Sequence, residues 1–280
     1  MNRENEVLRP EDYAEPACLL CGEPFGAEPK IRAVPQQRIV EKLDEYMSRR
    51  DYAGAERHLL YWMEEAKLGR DRRGQLVIAN ELIGHYRKVG DREKALARVD
   101  EALGLLGELD LGGSVSAGTT FVNAATACSA FGENERALAL FEKARDAYEA
   151  CGGVRPELLG GLYNNMALAC KALGRYDEAF ALFDRAMAQM GKLPGGKLEQ
   201  AITCLNVADA VAAQQGLEEG ETRIGELLEQ AWELLQDKDA PRNGYYAFVC
   251  EKCAPSFAYY GWFSAADELQ KEAARIYERP

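Results

Sequence analysis

The sequence predicts an all-α solenoid of about six stacked helical hairpins over residues 36–280, preceded by an irregular tail over residues 1–35. Three observations carry this. Residues 160–190 (GGLYNNMALACKALGRYDEAFALFDRAMAQM) hold two apolar stripes of helical period. Tyr163, Met166, Ala167 and Cys170 fall at i, i+3, i+4 and i+7. Tyr176, Ala179, Phe183 and Ala186 then repeat every three or four residues, with Gly174 between the stripes, where a Cβ would be strained. The same unit recurs at a fixed spacing. Gly132, Ala137, Phe141 and Ala144 lie 42 residues upstream, Gly90, Ala95, Val99 and Ala102 another 42 back, and Gly216 stands 42 after Gly174. Stacked identical units require such a period. The first 35 residues, by contrast, contain Pro10, Pro16, Pro24, Pro29 and Pro35, which break any helix that starts there.

Taken in order, the first hairpin occupies about 36–67, with Ile39, Leu43 and Tyr46 and then Tyr52, Ala55, Leu59 and Trp62 on its stripes. Arg50 stands where later units place glycine, as expected of a degenerate end repeat. The next three hairpins cover approximately 74–108, 115–150 and 157–191, joined by the glycine-rich stretches 105–113 and 191–196. The fifth, 197–236, departs from the pattern. The interval from Gly216 to Gly261 is 45 rather than 42, and its second helix is expected to begin late, at Glu221. The sixth, 244–278, restores the signature at Gly261, Phe263, Ala266 and Ala273. Eight of the residues from Tyr245 to Phe263 are aromatic, a density that reads as an end cap or as a binding surface.

Gly174-x-Tyr176-x-x-Ala179, followed seven residues later by Ala186, resembles the tetratricopeptide repeat (TPR). The 42-residue spacing and the wording YNNMALACKALGRYDEAFALF are similar to the kinesin-light-chain type. The resemblance spans roughly residues 36–278 and implies a right-handed superhelical solenoid that serves as a binding scaffold. Asn123 and Asn165 each lie nine residues before their turn glycine, and Asn206 takes the equivalent place if its turn holds one extra residue. On the groove side of the first helices, an amide offers one acceptor and two donors to a peptide backbone. The resemblance implies such an asparagine ladder for holding extended polypeptide. The alternative is that these amides bond to a neighbouring helix. Arg87, Lys88 and Lys171, at the C-terminal ends of groove-side helices, either add positive charge for a ligand carboxylate or cap their helices.

Composition narrows the function. Lys+Arg 34 against Asp+Glu 46 gives a net charge of −12 without a basic cluster, so nucleic acid is not an expected partner. No run of eighteen apolar residues and no apolar leader occurs, which predicts a cytoplasmic protein without membrane contact. His58 and His85 lie on different helices without companion cysteines or carboxylates nearby in sequence, and no catalytic set is recognisable.

Of the eight cysteines, Cys128, Cys170 and Cys204 sit on apolar stripes and read as small hydrophobes, and Cys151 lies in a Cys-Gly-Gly loop. Cys18 and Cys21, followed by Gly22, form a CxxCG sequence like a zinc knuckle, and Cys250 and Cys253 form a second CxxC on a helix. Together they make the four-thiolate set of one structural zinc. Core packing and redox chemistry are the alternatives.

The functional expectation is a non-enzymatic scaffold whose concave groove binds a partner protein or an extended peptide. A peptide-responsive intracellular regulator, or a zinc or thiol protein using the two CxxC pairs, stands as the alternative.

Overall fold

The computed structural model describes residues 30–278, so Cys18 and Cys21 lie outside the described residues. These residues form twelve helices and no strand: α1 (Gln36–Ser48), α2 (Tyr52–Leu68), α3 (Arg72–Val89), α4 (Arg92–Glu108), α5 (Val115–Ala130), α6 (Asn134–Cys151), α7 (Pro156–Ala172), α8 (Tyr176–Met190), α9 (Lys197–Gln215), α10 (Leu217–Leu235), α11 (Gly244–Tyr259) and α12 (Phe263–Tyr277). They pair into six antiparallel hairpins, each odd-numbered helix with the even-numbered one that follows. No helix among them is long and apolar enough to cross a membrane.

Each hairpin closes on the residues the periodicity singled out. Ala95, Val99 and Ala102 in α4, Ala137 and Ala144 in α6, and Ala179, Phe183 and Ala186 in α8 are fully enclosed, with small side chains at the points of closest helix approach. Gly90, Gly132 and Gly174, at the 42-residue spacing, take positive φ at the turns, and so does Gly261. Arg50 adopts the same left-handed conformation at φ 57°. The first hairpin therefore keeps the turn geometry of the repeat without its glycine.

The fifth hairpin corrects the expectation of a late helix. α10 begins at Leu217, and Gly216 alone (φ 88°, ψ 171°) both ends α9 and opens α10. The turn is shorter than its counterparts, not longer. Gly220 takes the place that Ala179 holds in α8, and a Cβ there would stand 3.0 Å from the Val211 side chain. The extra residues fall instead in the eight-residue connection 236–243 before α11.

Curvature follows from unequal packing. First helices of adjacent hairpins touch directly (α3 with α5, α5 with α7, α7 with α9, α9 with α11), whereas second helices of adjacent hairpins do not approach to the same degree. The stack is shorter along its first helices, which line the concave side. The core also divides: one cluster runs from Val34 through α8 and reaches Ala210 of α9, and another joins α9 to α12, with Phe180 and Val207 packed against both.

The chain enters the first hairpin through a fixed segment. The backbone N–H of Arg32 donates to the Gly69 carbonyl at 2.9 Å, and that of Val34 to Asp71 Oδ2 at 2.9 Å. Asp71, only 5 % exposed, also accepts from the Gly74 N–H at the start of α3.

Candidate functional site

On each first helix, residues spaced 3, 4, 3 and 4 apart face the concave side. In α5 they are Ser116, Thr119, Asn123, Thr126 and Ala130. In α11 they are Tyr245, Phe248, Lys252, Pro255 and Tyr259, all of them exposed. Among the described residues, the clefts along this face include the following. The first is bordered by Asp44, Glu81 and His85 between α1 and α3, and the second by Glu81, Asn123 and Asn165 across α3, α5 and α7. The third, between α9 and α11, is lined by Lys171, Asp209 and Tyr259, and the fourth lies where α7, α9 and α11 begin, with Glu199 and Tyr245. The clefts between α1 and α7 are lined by acids and amides, and that between α9 and α11 by tyrosines.

The three asparagines separate into two roles. Asn123 Nδ2 donates to Asn80 Oδ1 at 3.0 Å, and Asn206 Nδ2 donates to Asn164 Oδ1 at 3.0 Å. Thr203 donates to the same Asn164 oxygen, and Asn80 Nδ2 donates to Thr120 Oγ1 at 2.9 Å. These amides stitch α3 to α5 and α7 to α9, which is the neighbouring-helix alternative. Asn165 is different. By the same register it would donate to position 122, which is valine, and among the described residues its side chain makes no hydrogen bond. It lines the second cleft with both amide groups free.

Arg87 borders the first two clefts, Lys88 the first, and Lys171 the third, so all three predicted cations face the groove. Lys88 lies 5.8 Å from the centre of the Tyr52 ring. No ion pair holds any of them among the described residues, whereas Lys94 pairs with Glu56.

Sequence reasoning missed Glu81, Glu199 and Asp209, and left the aromatic run from Tyr245 to Phe263 between an end cap and a binding surface. Glu81 and Glu199 both have carboxyls held above the usual value by burial, Glu81 further by the nearby Asp44 carboxylate. Tyr260 donates to Asp209 Oδ1 at 2.8 Å, which fixes the wall of the third cleft. Tyr245 and Phe248 stack with ring centres 6.2 Å apart. Part of the signal was available: Glu81 lies two 42-residue steps before Asn165, and Phe248 lies 42 residues after Asn206.

Glu81 has a measurable consequence. Its raised value means the native chain holds a proton more tightly than the unfolded chain as pH climbs through the usual 4.5. Stability contributed by protonated Glu81 is present below that value and lost as pH rises through the raised folded value. Asp44 on α1, and His85, Arg87 and Lys88 on α3, share the first cleft, yet only Asp44 and burial act on it appreciably. Glu81→Gln is expected to raise the midpoint of chemical denaturation at neutral pH and to leave it unchanged at pH 3. A midpoint lowered at pH 7 would show that the carboxylate is satisfied in the fold.

The second CxxC pair lies in the core. Cys250 and Cys253 are 0 % and 1 % exposed, among the residues that join α9 to α12. Burial raises both thiols, Cys253 to about 12. Among the described residues no group of three or more His, Cys, Asp or Glu is gathered as a metal site. Cys128, Cys170 and Cys204 are buried free thiols, and Cys151 donates to the Gly113 carbonyl at 2.9 Å.

A tetratricopeptide repeat family model matches residues 74–150 and 158–219. Among solved structures, a Podosopora anserina protein assigned as a kinesin light chain, with nearly identical TPR-like repeats, is 19% identical. That match covers 72% of this chain and 96% of the other, at a TM-score of 0.50. BtubC (BKLC) from P. vanneervenii is 17% identical over 88% of this chain and 92% of its own, also at 0.50. At such identities the likeness shows the fold. Among curated proteins, none matches this chain.

Proposed function

Because the chain belongs to the tetratricopeptide repeat family, whose repeats serve as protein-interaction scaffolds, we propose that it is a non-enzymatic scaffold binding an extended stretch of partner polypeptide along its concave groove. The observation that carries this reading is Asn165, which faces the second cleft with neither its carbonyl nor its amide spent on the fold. An extended strand presents alternating N–H and C=O groups that one free amide pairs with in both directions. Arg87 and Lys171, also unpaired, stand to either side, and Tyr245, Phe248 and Tyr259 offer aromatic area at the far end. Amphipathic aromatics with few rotatable bonds contribute contact area at low entropic cost.

The test is selection of binding peptides from a random displayed library, followed by affinity measurement on variants. Asn165→Ala and Tyr259→Ala are each expected to weaken a selected peptide by about five- to thirtyfold without moving the thermal midpoint. Asn206→Ala is expected to behave oppositely, costing about 1 kcal/mol of stability through its lost bond to Asn164. Peptides that bind Asn165→Ala and Tyr259→Ala as they bind wild type would place the interaction on another surface.

A further inference from the structure

α12 repeats, on an open face, a row of side chains that elsewhere in the stack covers the next hairpin. In α8 that row is Tyr176, Phe180, Phe183, Met187 and Met190, spaced 4, 3, 4 and 3 residues apart. Tyr176 donates to the Ala213 carbonyl of α9, and Phe180 and Met187 pack against the α9–α12 cluster. Phe183 and Met190 are buried. A step of 87 residues, the distance from Gly174 to Gly261, carries the row to Phe263, Asp267, Gln270, Ala274 and Tyr277. All five are exposed, Phe263 at 70 % and Tyr277 at 52 %, and among the described residues α12 packs only on α11.

An end repeat is expected to turn a polar face to solvent. This one is polar chiefly near the middle of the row, where Gln270 stands in the place of the enclosed Phe183. Five of the eleven large apolar side chains exposed among the described residues belong to this hairpin, Phe248, Phe263 and Tyr277 among them. Phe248 lies one turn from Glu251, which accepts from the Tyr277 hydroxyl at 3.1 Å, so α11 contributes to the same end. The row is also nearly palindromic. Phe263 and Tyr277 each lie seven residues from Gln270, and Asp267 and Ala274 lie three and four residues from it. Set antiparallel against a copy of itself, the row brings each Phe263 to the Tyr277 of the copy, and Gln270 to its own image. An amide donates and accepts, so it pairs with its image across a two-fold axis, whereas a lone charge there would meet its like.

Charge and area suit the same occupant. Residues 244–277 carry three cations against four acids, whereas α10 carries six acids against one arginine, in a chain of net charge −12. Two copies therefore repel far less at this end than along α10. At about 200 Å² per aromatic side chain, the exposed parts of Phe248, Phe263 and Tyr277 supply roughly 350 Å² of the ~800 Å² that each partner gives to a standard interface. The polar remainder of the two helices makes up the rest, which sets the affinity in the micromolar range.

We propose that the outer face of α12 is a homodimer interface, in which two copies of this chain pack antiparallel about a two-fold axis at Gln270. The inference does not need a ligand in the groove. Where both hold, one dimer carries two grooves and gains avidity for a partner with two binding segments.

Sedimentation equilibrium on the full chain tests it, over roughly 1 to 300 µM to bracket micromolar affinity. The mass is expected to pass from monomer to dimer and to stop there. Gln270→Lys and Gln270→Glu change an exposed side chain. Each is expected to keep the wild-type thermal midpoint and to weaken the dimer at least tenfold, because like charges then meet at the axis. An equimolar mixture of the two is expected to dimerise again, since opposite charges meet. Phe263→Ala is expected to weaken the dimer about tenfold. A monomer throughout, a Gln270→Lys protein that dimerises as wild type does, or a mixture no tighter than either variant alone would overturn the interface. Mass that keeps rising past the dimer would overturn it as well, because it marks a head-to-tail contact that does not close.

Discussion

Replacing Phe183 with alanine is expected to cost about 3–5 kcal/mol. Phe183 is fully enclosed at the centre of α8, within the cluster that runs from Val34 to Ala210. Removing the ring leaves a cavity that small, rigid neighbours such as Ala179 and Ala186 cannot fill by changing rotamer. Phe183→Leu keeps most of the volume and should cost much less, about 1.5 kcal/mol or below. The divided core adds a signature. Trp62 packs on the first cluster, and Trp232 and Trp262 on the second. In a Trp62→Phe background, indole fluorescence reports α9–α12 alone. Phe183→Ala should then lose part of its far-UV circular dichroism at lower denaturant than its fluorescence, because nearest-neighbour coupling lets one block unfold first. Coincident transitions with an unchanged midpoint would show that Phe183 does not hold the first block together.

Asp71→Ala is expected to lower stability by about 3 kcal/mol. Its carboxylate accepts from the Gly74 N–H, which caps α3, and from the Val34 N–H, which pins the entry segment. A cap is worth about 1 kcal/mol, and a buried hydrogen bond to a charged group about 1.5–3. Asp71→Asn retains one acceptor and should recover about half of the loss. Hydrogen exchange locates the effect: amides of Val34 and of the first turn of α3 should lose protection before those of α8. Unchanged protection at Val34 would mean the entry segment is held by packing alone.

The asparagines show how far sequence reading reached. Their spacing marked them as groove-side positions, and two of the three share a purpose that lies in other repeats. Asn123 finds Asn80 and Asn206 finds Asn164, each across 42 or 43 residues of chain. Whether Asn165 was free depended on position 122 being valine, a fact that means nothing until α5 and α7 are set side by side. Gly216 illustrates a different limit. Its place in the period was legible, but its backbone angles shorten the turn, so α10 starts at Leu217 and the extra residues move to 236–243. A period fixes the number of residues between equivalent points and does not say which loop absorbs an insertion.

The sequence by itself determined the number of hairpins, their approximate extents apart from the start of α10, and the enclosed alanine and phenylalanine positions. Those features arise from contacts within about one repeat, and the helical period records them directly. Only the tertiary structure decided which amides are spent and which are free, that Cys250 and Cys253 face the core, and that Asp44, Glu81 and His85 share a cleft. Each of these depends on how closely one hairpin settles against the next. That distance is set by summed side-chain volumes across the stack, a quantity to which every repeat contributes and which no single stretch of sequence contains.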